Sequence, residues 1–124
     1  MQHRDHTPGF LAIVEDAKSR VREIGVHDTM TAMAADTRLI DVREDNEWTT
    51  CHARGAEHLG KGIIERDIET VAPDKDSPLI LYCGGGYRAA IAADSLQKMG
   101  YTNVKSMAGG WRAWLKADAP TEEG

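Results

Sequence analysis

Residues 79–90 read LILYCGGGYRAA, an unbroken apolar run ended by a cysteine and three glycines, after which a helical pattern takes over. A strand with no polar alternation is buried on both faces, as strands of a parallel sheet covered by helices are. The segment GYRAAIAADSLQKMG that follows is amphipathic and stops at Gly100, a residue suited to ending a helix. One strand, turn and helix of this kind requires parallel neighbours, and the chain supplies them. TRLIDVR is a short buried strand ending near Val42, GAEHLG a short strand bounded by glycines, and NVKSMAGG the last strand with a diglycine turn. VREI is a brief extended piece. Helical patterns occupy TPGFLAIVEDAKSRVREIG, with Thr7 as cap, Pro8 in the first turn and Gly25 as stop, and HDTMTAMAAD, capped by Asp28. EDNEWTTCHA, KGIIERDIETV and WRAWLKADAP are further helical segments, and PDKDSP is a surface turn. Strands alternating with helices define an α/β domain with a mainly parallel sheet and right-handed crossovers. The closing TEEG is expected to be disordered.

The 124 residues suffice for one domain with a single core. A net charge of −5 argues against nucleic acid or an anionic membrane as partner, since each needs a clustered basic face. It leaves room for a small anionic substrate in a locally positive pocket. No apolar run has the length of a membrane span, and MQHRDHTPGF lacks the pattern of a secretory signal. Two cysteines do not make a disulfide framework, so a cytoplasmic location with free thiols is expected rather than a Cys51–Cys83 bridge.

In open parallel sheets ligands bind beyond the carboxyl ends of the strands. Cys83, Arg43 and the pair Gly109–Gly110 each follow a strand and should share one rim. Gly84, Gly85 and Gly86 let successive N–H groups turn inward as an anion-accepting nest. The helix that begins after them adds the partial positive charge of its N-terminus. Negative charge on sulfur is favoured in such a field. Arg88 closes the ring with a cationic fork, and the glycines keep side chains away from the sulfur. A buried cysteine can be merely a small hydrophobe. The coincidence of glycine triplet, arginine and helix onset favours a reactive thiol.

These residues resemble a single-domain rhodanese. LIDVREDNEW at 39–48, CHARGAEHL at 51–59, YCGGGYRAA at 82–90 and GGWRAW at 109–114 resemble, in order, four segments of that family. The resemblance implies a three-layer α/β/α domain over 25–117 with a mainly parallel five-stranded sheet. Residues 1–24 then form a tail and an additional N-terminal helix packed on it, and 118–124 a C-terminal tail. Cys51 stands where the family often has glycine, Arg54 where proline is frequent, and Ala89 where serine is frequent.

What the resemblance implies chemically is a sulfurtransferase working through a Cys83 persulfide, with Arg88 assisting and Gly84, Gly85, Gly86 and Tyr87 binding substrate. Amides from Gly85 to Arg88 are expected to face inward. Thiosulfate or a persulfide would be the donor and cyanide or a thiol the acceptor, a protein donor or acceptor being compatible as well. No metal or organic cofactor is implied. Arg43 is expected either to add positive potential at the mouth or to pair with a carboxylate, and Asp41 to anchor the loop or Arg43. Trp48, Trp111 and Trp114 read as packing residues, with Trp48 or Trp111 able to line the entrance. Cys51, His52 and His58 match no zinc spacing, and His3 and His6 fall in a mobile terminus. Three rival readings stand beside this one. A cysteine phosphatase would place five residues, not four, between cysteine and arginine, and would benefit from a general acid. A non-catalytic binding module would not need Cys83. A redox thiol would use Cys51 to resolve an oxidised Cys83.

Overall fold

The computed structural model describes residues 6–124; His3 lies outside them. Five strands form one sheet in the order β1 (Arg22–Ile24), β6 (Val104–Met107), β5 (Leu79–Tyr82), β2 (Arg38–Asp41) and β4 (Glu57–His58), every neighbouring pair parallel. Among the described residues six helices accompany it: α1 (Pro8–Lys18), α2 (Val26–Ala34), α3 (Asp45–Thr50), α4 (Ile64–Val71), α5 (Tyr87–Lys98) and α6 (Gly110–Lys116). This is the three-layer α/β architecture, with the expected five strands. None of the described helices is long and apolar enough to cross a membrane.

Alternation along the strands sorts the core into two layers. Ile40, Val42, Leu79, Leu81 and Cys83 face a cluster with Ile64 and Ile68 of α4 and Ala89, Ala92, Ala93 and Leu96 of α5. Leu39, Ile80 and Tyr82 face the other way, toward Val26 of α2, Met107 and Trp114 of α6. The alanines of α5 are all fully buried; their small size lets this helix lie close on the end of β5.

Local details differ from expectation at both ends. α1 stops at Lys18, with Ser19 rather than Gly25 ending it, and Thr7 occupies the cap position without a side-chain bond. α2 begins at Val26 with Gly25 as N-cap, so Asp28 sits in its first turn. The tail is ordered: β7 (Thr121–Glu122) pairs antiparallel with β3 (His52–Ala53), Arg54 N donates to the Pro120 carbonyl at 3.0 Å, and Trp114 Nε1 donates to the same oxygen at 2.8 Å. Backbone pairing and one indole fix a segment whose polar sequence carries no hydrophobic period.

Candidate active site

The turn after β5 is built by glycines at positions where a side chain has no place. Gly86, the N-cap of α5, has φ +101°, a region that L-residues rarely adopt. A Cβ on Gly110, whose φ is +53°, would lie 2.3 Å from the Cys83 carbonyl oxygen. That closeness lets the first N–H groups of α6, which have no partner inside their own helix, reach the cysteine loop. Trp111 N donates to Cys83 O at 2.7 Å and Arg112 N to Gly84 O at 3.1 Å. With its carbonyls clamped from outside, the loop turns amides inward. Gly86 N lies 3.1 Å and Ala89 N 3.3 Å from Cys83 Sγ, both in hydrogen-bonding geometry. Among the described residues these two amides are the ones directed at the sulfur, not the whole Gly85–Arg88 run expected from the sequence. Ala89 contributes through its backbone, so the missing serine hydroxyl takes nothing from this contact.

Cys83 is 1% exposed, so the access that the glycines were expected to leave is closed in this conformation. The Arg88 guanidinium covers Gly84: a Cβ there would lie 3.3 Å from Nη2. It is held by Glu47, with Nη1–Oε1 3.1 Å and Nη2–Oε2 3.5 Å. Glu47 is fixed in turn by the Glu44 amide at 2.9 Å. Burial pushes the Glu47 carboxyl up, but the Arg88 and Glu44 hydrogen bonds and the charges of Arg88 and Arg43 outweigh it, leaving the group below the ordinary glutamate range. Burial opposes the charge on Arg88, yet Glu47 and the nearby Cys83 hold its pKa above the usual arginine value. Nothing in the sequence singles out Glu47; its reach to Arg88, 41 positions away, is a tertiary fact.

Arg43 does not stand at the mouth. Asp41 and Arg43 share the parity of Leu39 and Tyr82, and so face the layer opposite Cys83. The Arg43 guanidinium is buried, forked onto Asp41 at 2.8–3.1 Å, bonded to the Cys51 carbonyl at 2.7 Å and seated 4.6 Å above the Trp111 ring. Asp41 also accepts from the Arg43 amide at 2.9 Å and the Tyr82 hydroxyl at 2.5 Å. Burial and the Asp41 charge raise the Tyr82 phenol far above its ordinary value, so it is the neutral donor in this network. The network braces both ends of α3, the helix that carries Glu47, because Arg43 precedes that helix and the Cys51 carbonyl it binds follows it.

Tyr87 begins α5 with its ring against the first helix: His6 meets it edge-on at 4.9 Å and Lys18 Nζ lies 5.0 Å from its centroid. Both His52 and His58 stack on the indole of Trp48, at centroid distances of 3.4 and 5.0 Å. Cys51 and Cys83 are both free thiols.

The model of the rhodanese-like domain matches residues 26–117, and the chain belongs to that family. It is 33% identical over 101 residues to a thiosulfate sulfurtransferase, GlpE, of Haemophilus influenzae, a match covering 82% of this chain and 94% of the relative. It is 31% identical over 137 residues to the mitochondrial protein HIGH ARSENIC CONTENT 1 of Arabidopsis thaliana, covering 96% and 80%. A solved protein of Rhodopseudomonas palustris, described as of unknown function and a possible tyrosine phosphatase, superposes with a TM-score of 0.84 at 26% identity. That match covers 98% of this chain and all of the other, so it extends over the first helix as well as the family domain.

Proposed function

We propose that this protein is a sulfurtransferase that carries a sulfane sulfur as a persulfide on Cys83. The observation that supports this most directly is the pair of amides, Gly86 N and Ala89 N, directed at Sγ beneath the N-terminus of α5. Such fixed donors stabilise negative charge on sulfur and on a transition state without reorganising. The Cys83 thiolate attacks the outer sulfur of thiosulfate; a new S–S bond forms, the donor's S–S bond breaks, and sulfite leaves with the bonding electrons. An acceptor nucleophile, cyanide or a thiolate, then takes the outer sulfur and returns Cys83 as thiolate. This is covalent catalysis in two half-reactions. Neither leaving group needs a proton, so no general acid enters.

Arg88 is the cation that an anionic donor would meet, and the donor reaches Sγ by drawing the guanidinium from Glu47. Gly84 keeps the space beneath that guanidinium free. Arg43 and Asp41 act at one remove, by bracing the helix that carries Glu47. The test is intact and peptide mass spectrometry after exposure to thiosulfate. One added sulfur atom at Cys83, released by cyanide as thiocyanate, is expected, and Cys83→Ser should show neither while remaining folded. Thiocyanate formation by Cys83→Ser at the wild-type rate would refute the assignment.

The description of the Rhodopseudomonas protein keeps a phosphatase reading in view. Four residues separate Cys83 from Arg88, and the two amides converge on the sulfur itself, which suits one added atom better than a tetrahedral phosphate. Turnover of an aryl phosphate that requires Cys83 would favour the phosphatase.

A further inference from the structure

The peptide group between Arg43 and Glu44 is held at both of its polar atoms. Its carbonyl oxygen lies 2.9 Å from His58 Nε2, and its N–H donates to Glu47 Oε1 at 2.9 Å. A carbonyl only accepts, so Nε2 carries the proton in this contact. The peptide is planar, so a bond that fixes the oxygen also fixes the direction of the N–H. Linked hydrogen bonds polarise one another, and the bond to the carbonyl strengthens the amide as a donor. Glu47 Oε1 is in turn the atom that Arg88 Nη1 meets at 3.1 Å. One line of contacts thus runs from His58 through the peptide and Glu47 to the guanidinium over the cysteine loop. Its far end is rigid: His58 closes β4 as the register partner of Asp41, and Leu59 N and Lys61 N donate to the Asp41 and Val42 carbonyls at 3.0 Å each. The imidazole also stacks on Trp48 of α3 at 5.0 Å, and Nδ1 faces Asp45 Oδ1 at 3.8 Å.

We infer that His58 is a positioning residue for the chemistry of Cys83. By holding the peptide between Arg43 and Glu44 it keeps Glu47 on Arg88, and Arg88 closed over the loop, until a donor anion competes for the guanidinium. The inference rests on the sulfur-transfer reading of the site and adds to it the residue that sets how readily the site opens. Once the peptide is free to turn, Glu47 Oε1 loses the Glu44 amide that orients it, and its grip on Arg88 loosens. Loss of His58 should therefore make Cys83 easier to reach and an anionic donor easier to bind. A merely damaged fold would weaken donor binding instead.

The experiment follows two readouts in the full chain. One is alkylation of Cys83 by iodoacetamide, a neutral reagent, located by peptide mass spectrometry so that Cys51 is counted apart. The other is steady-state kinetics with thiosulfate and cyanide. His58→Ala should speed alkylation of Cys83 about fivefold, the scale of one net hydrogen bond, and lower the thiosulfate KM by a similar factor while kcat stays within about twofold. His58→Gln keeps an amide N–H at the reach of Nε2 and should restore both values. His58→Asn reaches only as far as Nδ1 and should behave as His58→Ala does, so it replaces that variant if alanine prevents folding. Glu47→Gln should react at least as fast as His58→Ala, and combining the two should add nothing, because both break one line of contacts. Cys83 alkylation unmoved in His58→Ala and His58→Asn, failure of glutamine to restore it, or effects that multiply in the double variant would each overturn the inference. Sulfur transfer to cyanide by the wild type would still stand in those cases. The expected alkylation pattern with no sulfur found on Cys83 after thiosulfate keeps the positioning role and overturns the sulfur-transfer reading.

Discussion

Arg88 and Arg43 show how two guanidinium groups of one domain come to different work. Arg88 is one-third exposed and shares its carboxylate with solvent, so an incoming anion can compete for it. Glu47→Gln removes the competitor but keeps the shape, and should lower the thiosulfate KM several-fold; Arg88→Ala should raise it about tenfold or more, the scale of a charge-assisted hydrogen bond. Steady-state kinetics on both variants checks this, and an unchanged KM in Glu47→Gln would show that the pair does not guard the donor site. The sign of the pH effect is fixed by the depressed Glu47 pKa. The stabilisation from this pair is complete above the ordinary glutamate value of about 4.5 and is lost as pH falls through the lower folded value. Arg43 is different, because its removal strands the Asp41 carboxylate in a fully buried position. Arg43→Ala should therefore cost about 3–5 kcal/mol of stability, read as a lower denaturation midpoint in urea.

Among the elements, the decisive contact is between the N-terminus of α6 and the cysteine loop. Because the α6 amides occupy the carbonyls of Cys83 and Gly84, the amides of Gly86 and Ala89 are left to serve the sulfur. Gly110→Ala puts a methyl group where the Cys83 carbonyl already lies and must part the two. A loss of about 2–4 kcal/mol is expected from such a clash with strain at positive φ. Persulfide formation should fall by more than the unfolded fraction explains, which mass spectrometry at matched folded concentration measures. The glycine triplet, the helix onset and the shared rim were legible in the sequence because each is a local pattern. Strand parity separates Asp41 and Arg43 from Ile40 and Val42, but which of the two sets shares a layer with Cys83 follows only from the β2–β5 register, with Asp41 opposite Tyr82. What could not be read were the α6 clamp and the Glu47–Arg88 pair, since both join segments distant in the chain through geometry that leaves no periodic trace.

Across the whole molecule, the sheet and its helical layers follow from hydrophobic runs such as LILYC, whereas the C-terminal tail is attached by polar bonds that no hydrophobic pattern announces. This is why the tail was expected to be disordered although β7 pairs with β3. The first helix rests on α5 through buried Val14 and Ala17, but its registration is electrostatic. Arg20 forks onto Asp94 at 2.9 and 2.8 Å and onto Asp16 at 3.1 and 2.7 Å, while Gln97 donates to the Arg20 carbonyl at 3.0 Å. The same helix supplies Lys18 to the Tyr87 ring, and the preceding His6 meets that ring edge-on, which connects its seating to the cysteine loop. The Arg20 hydrogen bond, followed by the Arg20 and Lys98 charges, holds the Asp94 carboxyl below its ordinary value against the opposing effect of burial. A depressed folded value means that the clamp stabilises the protein fully above about pH 4–5 and fades as pH falls through the folded pKa. Arg20→Ala should thus lower the Tm by a constant amount near neutrality, and the gap from wild type should close on acidification below about pH 4. A gap that persists undiminished in acid would mean that α1 is held by its apolar face alone. The thiosulfate KM of Arg20→Ala, measured at neutral pH, should rise modestly, because Tyr87 would lose the fixed position of the helix it packs against.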